Sequence, residues 1–124
     1  MNIETIRNYC LGKKGTITEE LPFGDDTLVF KLFGKMFFLA SMGVRPVQFN
    51  VKCDPERAIE LRERYPAVRP GYHMDKKHWN TIVLDGSLSS NEIFAMIDHS
   101  YDLVAQGLKK SFRDQILSSS SKRK

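Results

Sequence analysis

The chain has 124 residues, of which 41% are hydrophobic and 27% charged, with a formal net charge of +4 and a pI near 9.1. That length supports one domain, able to bury roughly two-thirds of its unfolded surface without covalent staples. No apolar run approaches the roughly 20 residues of a membrane-crossing helix, which excludes a helical membrane protein.

The first residues, Met-Asn-Ile-Glu-Thr-Ile-Arg, contain an acid and no apolar core of a signal peptide, so a cytoplasmic location is expected. Cys10 and Cys53 stand far apart without a CxxC partner and read as free, buried thiols of a reducing compartment. The charge is segregated. From Lys109 onward six bases face one acid, residues 27–84 hold ten bases and five acids, and residues 85–108 hold four acids and no base. The basic middle is therefore more informative about partners than the total.

Taken in order, Ile3, Ile6 and Cys10 share one helical face, with Asn2 placed to cap the start and Gly12 to close the end, which predicts a helix over Ile3–Leu11. Residues 16–26 end in Leu-Pro-Phe-Gly-Asp-Asp, which forbids a regular element there. Residues 27–32 and 35–40 are β-rich and flank Phe33-Gly34, a hairpin turn. After a turn at 42–46, Val47, Phe49 and Val51 alternate with Gln48, Asn50 and Lys52, predicting a strand with one dry and one wet face. Short connections make this meander antiparallel.

Asp54-Pro55 predicts a helix start, the Asp as capping acceptor and the Pro at the first helical position. Ala58, Leu61 and Tyr65 then form the buried side. A fourth strand is expected over 78–84. Ser89-Ser-Asn-Glu92 is a capping box with Leu88 and Ile93 as its hydrophobic staple, opening a helix of about five turns striped by Ile93, Ile97, Val104 and Leu108. Residues 1–110 thus form an α+β domain, an antiparallel sheet with helices packed on one face. Residues 111–124 are expected to be a flexible basic tail.

The chemistry of a reaction is not apparent. There is no nucleophile elbow, phosphate loop or HExxH, and His73 and His78 diverge on either a strand or a helix, so no metal site, cofactor or catalytic residue is predicted. His99 reads as a solvated histidine between Asp98 and Asp102. Cys53, at a helix N-terminus, is the one thiol with a mechanism for a lowered pKa, but no histidine lies near it in sequence and it reads as inert.

Binding is the better reading. Lys35, Lys52, Lys76 and Lys77 of the basic middle lie beside the π surfaces of Tyr72, His73, His78 and Trp79 and the donor–acceptor amide of Asn80. Cations that meet phosphates and rings that stack on bases are what a nucleic-acid face needs. The same residues also fit a structural knot with Trp79 in the core, in which case the sheet face or the acidic helix (Asp98, Asp102) docks a protein partner. A small-molecule pocket between Tyr72 and Trp79 is the third reading. Residues alone leave these open.

The motifs Leu-Pro-Phe-Gly-Asp-Asp (21–26), Val-Phe-Lys (29–31), Gly-Lys-Met-Phe (34–37), Lys-Cys-Asp-Pro (52–55), Leu-Arg-Glu-Arg-Tyr (61–65), Pro-Gly-Tyr-His-Met-Asp-Lys-Lys-His-Trp-Asn-Thr (70–81) and Ser-Tyr-Asp-Leu-Val (100–104) follow one another in this order. In this the chain resembles the MmcQ/YjbR family of small bacterial proteins, up to about Lys110. The resemblance implies a frataxin-like α+β arrangement with two projecting hairpins described as a double-wing DNA-binding motif. It places a polar cluster at Tyr72, His73, Lys76, Lys77, His78, Trp79 and Asn80, with Lys35 and Lys52 on the sheet. Asp75 departs from the asparagine usual in the family, and an acid there opposes phosphate binding.

Overall fold

The protein is described by a computed structural model covering residues 1–22 and 24–118. Six antiparallel strands form one sheet in the order β1-β2-β3-β4-β6-β5: β1 Ile17–Glu20, β2 Thr27–Leu32, β3 Lys35–Ser41, β4 Gln48–Lys52, β5 Val68–Pro70 and β6 Trp79–Val83. Four helices accompany it: α1 Ile3–Leu11, α2 Pro55–Arg64, α3 Ser90–Gln106 and α4 Lys110–Ser118. The α+β class and antiparallel meander expected from the sequence are present.

Helix ends follow local chemistry. The Asn2 side chain accepts the Thr5 N–H at 2.9 Å, and the full capping box of Ser89 and Glu92 opens α3. Leu88 and Ile93, the staple pair, are both buried. At α2 the expectation needs correction. Pro55 does occupy the start, but the Asp54 side chain makes no capping bond.

Alternation sorts the sheet into two faces. Phe30, Phe38 and Val51 pair across neighbouring strands in line with Asn80, and Leu28, Ala40, Phe49 and Ile82 form the next such row. The apolar members of both rows are buried and meet Ile6, Cys10, Ile93, Ile97 and Tyr101 from α1 and α3, so this is the face the helices cover. A register shift in the β2–β3 ladder leaves Phe37 unpaired beside Phe38. This bulge sends two consecutive phenylalanines into the core, both 0% exposed. The opposite face carries Val29, Leu39, Asn50 and Thr81.

Two strands were not apparent in the sequence. Strand β1 lies just before the irregular segment 21–26, in residues for which the sequence predicts no element, and β5 follows Pro66 with only three residues. Both are edge strands held by a single neighbour, so their own pattern is too short to announce them.

The tail boundary also shifts. Residues 110–118 are helical, and Phe112 stacks on Phe33 with ring centroids 4.4 Å apart and planes at 17°. Phe33 and Gly34 both have positive φ, 47° and 81°, the pattern of a type I′ turn, uncommon for a bulky side chain. The stack covers that ring and ties α4 to the hairpin. The remainder of the expected tail, 119–124, lies outside the described residues. Phe112→Ala should therefore lower stability by about 1–2 kcal/mol, read from the urea midpoint, with amide exchange rising first in α4.

Candidate nucleic-acid interface

The strand directions bring three features to one end of the sheet: the β2–β3 turn, the C-terminal end of β4, and the long β5–β6 loop of residues 71–78. At this end the strand residues Lys35, Met36, Lys52 and Trp79 and the α3 end at Leu103, Val104 and Gly107 line an open cleft of ≈ 390 Å³. Lys52 and Trp79 face one another across the β4–β6 ladder. Three residues singled out from the sequence, on three different strands, thus share one cleft.

The β5–β6 loop is closed at its neck. The Gly71 N–H donates to the Trp79 carbonyl at 3.0 Å, and a Cβ on Gly71 would sit 2.8 Å from that of Trp79, so only glycine fits. On the rising limb, the Tyr72 N–H donates to Thr81 Oγ1 at 2.9 Å, and its carbonyl accepts from Asn50 Nδ2 at 3.1 Å. The Thr81 hydroxyl in turn donates to Asn50 Oδ1, closing a ring of three bonds. Asn50, expected on a wet face, is instead buried at 6% exposure beneath this loop.

The tip is a turn organised by Asp75. Its carboxylate accepts the Lys77 N–H at 3.0 Å and contacts His78 Nδ1 at 2.7 Å. Those two bonds, the histidine first, hold the Asp75 carboxyl below its usual range. The acid that departs from the family pattern is thus engaged within the turn. Lys76 Nζ reaches back to the Gly71 carbonyl at 3.1 Å. Tyr72 is 59% exposed and its ring lies 4.0 Å from that of His73, which adopts positive φ.

On the falling limb, the Cys53 N–H donates to the His78 carbonyl at 2.7 Å. Arg62 of α2 donates from Nε to Asn80 Oδ1 at 2.7 Å and from Nη2 to the carbonyls of Lys76 and Trp79. Asn80 is 1% exposed, and its Nδ2 reaches the Ala58 carbonyl at 3.4 Å. Its assignment to the binding face is corrected accordingly: both ends of its amide are used inside the protein. Tyr72 does not line the Trp79 cleft, so the pocket envisaged between those two rings does not form there.

The cations differ in availability. Lys31 pairs with Glu20 at 3.0 Å, and Lys13 is held by Asp98, which also accepts from the Tyr9 hydroxyl at 2.6 Å. Asp98 therefore faces α1 rather than standing free on an acidic helix surface. Among the described residues, Lys35, Lys52, Lys76 and Lys77 make no ion pair. Of the residues that secure the loop, Asn50, Arg62, Gly71 and Thr81 were passed over as site members in the sequence. Arg62 had a signal, since it follows the buried Ala58 by one helical turn and so sits on the inner side of α2.

The two thiols are buried, as the sequence suggested, whereas His99 departs from its solvated reading. Burial pushes the Cys53 thiol up to about 11, more than Arg57 or Arg62 pull it down, and pushes Cys10 up to about 12. His99 is not simply solvated, because its Nε2 accepts the Asp54 backbone N–H at 3.1 Å. Burial first, then Arg57, hold its pKa below the usual 6.5 against Asp54 and Asp102. Among the described residues, no three His, Cys, Asp or Glu side chains gather as a metal site, and no helix is long and apolar enough to cross a membrane.

The YjbR family model matches residues 11–103. The chain belongs to the YjbR family. YbdF of Escherichia coli O157:H7 is 42% identical over 95 residues, covering 76% of this chain and 75% of that protein. YjbR of Escherichia coli K12 is 32% identical over 102 residues, covering 82% and 85%. The crystal structure of Deinococcus radiodurans protein DR2400 superposes with a TM-score of 0.85 at 34% identity, covering 98% of this chain and 92% of that one. A Pseudomonas syringae crystal structure gives 0.71 at 29% identity, covering 84% and 99%. This YjbR domain thus shares its relatives' fold, and their names state no activity.

Two outcomes follow from the buried groups. At pH 7 neither cysteine should react with Ellman's reagent in the native protein, and both should react in guanidinium, a count of none against two. For His99, the unfolded chain takes up a proton near 6.5 and the folded one only at lower pH. Stability should therefore be fully present above that value and decline as pH falls below it, and His99→Gln, which keeps an acceptor but does not titrate, should flatten the decline in a urea series.

Proposed function

We propose that this protein binds duplex DNA, without catalysing a reaction, through the end of the sheet that carries the two loops. The observation that carries the reading is the meeting of Lys35, Lys52 and Trp79 in one cleft beside the loop bearing Lys76 and Lys77. Four cations without carboxylate partners would meet phosphates, and their release of counterions would supply most of the affinity. Trp79 at the cleft and the exposed Tyr72–His73 pair offer flat surfaces to the sugar and base edges. The choice of DNA follows what the family resemblance implies, and the choice of surface rests on this chain's charges and rings.

The test is the anisotropy of a labelled duplex titrated across a salt series. Affinity should fall linearly on a log–log plot, and the Lys76→Ala/Lys77→Ala pair should flatten the slope by about 1–2 units, at about 0.9 per phosphate lost. Lys35→Ala/Lys52→Ala, within the cleft, should do the same. A wild-type protein that leaves the duplex unretarded even at low salt would overturn the reading.

A further inference from the structure

We infer that Arg62 is the positioning residue of the DNA-binding end, fixing the Lys76–Trp79 segment without itself touching the ligand; this rests on the reading of that end as a binding site. Arg62 comes from α2, while the segment it holds lies 14 to 18 residues further along the chain. Three acceptors converge on one guanidinium: the carbonyls of Lys76 and Trp79 and the side-chain oxygen of Asn80. They bracket the lysine pair and the tryptophan. The Cys53 N–H fixes the carbonyl of His78 between them, and Cys53 directly follows Lys52. These contacts therefore tie the loop backbone to the end of the strand that carries Lys52.

The chemistry calls for arginine. A planar fork donates in several fixed directions, so one side chain can hold acceptors on residues 76, 79 and 80 together, whereas an ammonium on a flexible stem is a single point. All three acceptors are neutral. Among the described residues Arg62 forms no ion pair, so its role is directional bonding rather than charge neutralisation. Without the fork, the Lys76 carbonyl keeps no other partner among the bonds described, while the neck bond from Gly71 and the Asn50–Thr81 ring on the rising limb remain. The fold should then persist with the falling limb loosened.

Arg62→Lys keeps the charge and loses the fork, and Arg62→Gln loses both. Both variants should retain wild-type far-UV circular dichroism. In both, amide exchange at residues 77–79 should accelerate at least tenfold, and emission from Trp79, the sole tryptophan, should shift. Both should bind duplex DNA at least tenfold more weakly than wild type, with the salt slope reduced by about one unit. Near-wild-type affinity for Arg62→Lys alongside a loss in Arg62→Gln would mean that only the charge matters and would overturn the inference. So would unchanged exchange at 77–79 in both variants. If the wild type binds no duplex, the proposed function fails on its own, and the exchange and emission arms still decide whether Arg62 holds the loop.

Discussion

Two adjacent residues of one strand, Asn80 and Thr81, point to opposite faces of the sheet, and each anchors the same loop. Asn80 is bound to Arg62 and the Ala58 carbonyl on the helix-covered side. Thr81 is bound to Asn50 and the Tyr72 backbone on the other. Among the described residues, the buried polar side chains of the sheet are Asn50, Asn80 and Thr81, and each has a partner. An unpartnered buried polar group costs about 1–3 kcal/mol, so the network is stable only when the loop is in place. The pleat thereby clamps residues 71–79 from both sides at once.

That clamp also explains how a sheet with helices on one face keeps polar residues dry on the other. Where helices cover the sheet, phenylalanines and aliphatic residues pack against α1 and α3. Where they do not, the β5–β6 loop covers Asn50 and Thr81. Consequently the loop has a fixed shape despite having little apolar burial of its own. The Asp75 turn continues this ordering to the tip, using the acid to satisfy a backbone N–H and face His78. Elsewhere Arg7, Lys13 and Lys31 are matched with acids. The cations left without ion pairs on β3, β4 and the loop gather at one end.

Local signals predicted the elements that local chemistry decides. Asn2 and the Ser89–Glu92 box mark helix starts because their side chains satisfy N–H groups that every helix leaves open, wherever it sits. The Phe33-Gly34 turn and the alternation of Val47–Lys52 are similarly intrinsic to short stretches. Helix α4 was missed because its hold on the domain is a stack between Phe112 and Phe33, rings 79 positions apart in the chain. Cys53 is a buried free thiol, as its isolation in the sequence suggested, and burial raises its pKa.

By itself the sequence determined the α+β class, most element positions, and the list of residues that could bind: period, caps and turn residues act over a few positions and need no distant partner. Only the tertiary structure decided which of those residues lie together. It joined Lys35, Lys52 and Trp79 in a cleft, withdrew Asn80 into the interior, and brought in Arg62, because pairing of distant strands and the competition between burial and solvent settle where a polar side chain ends.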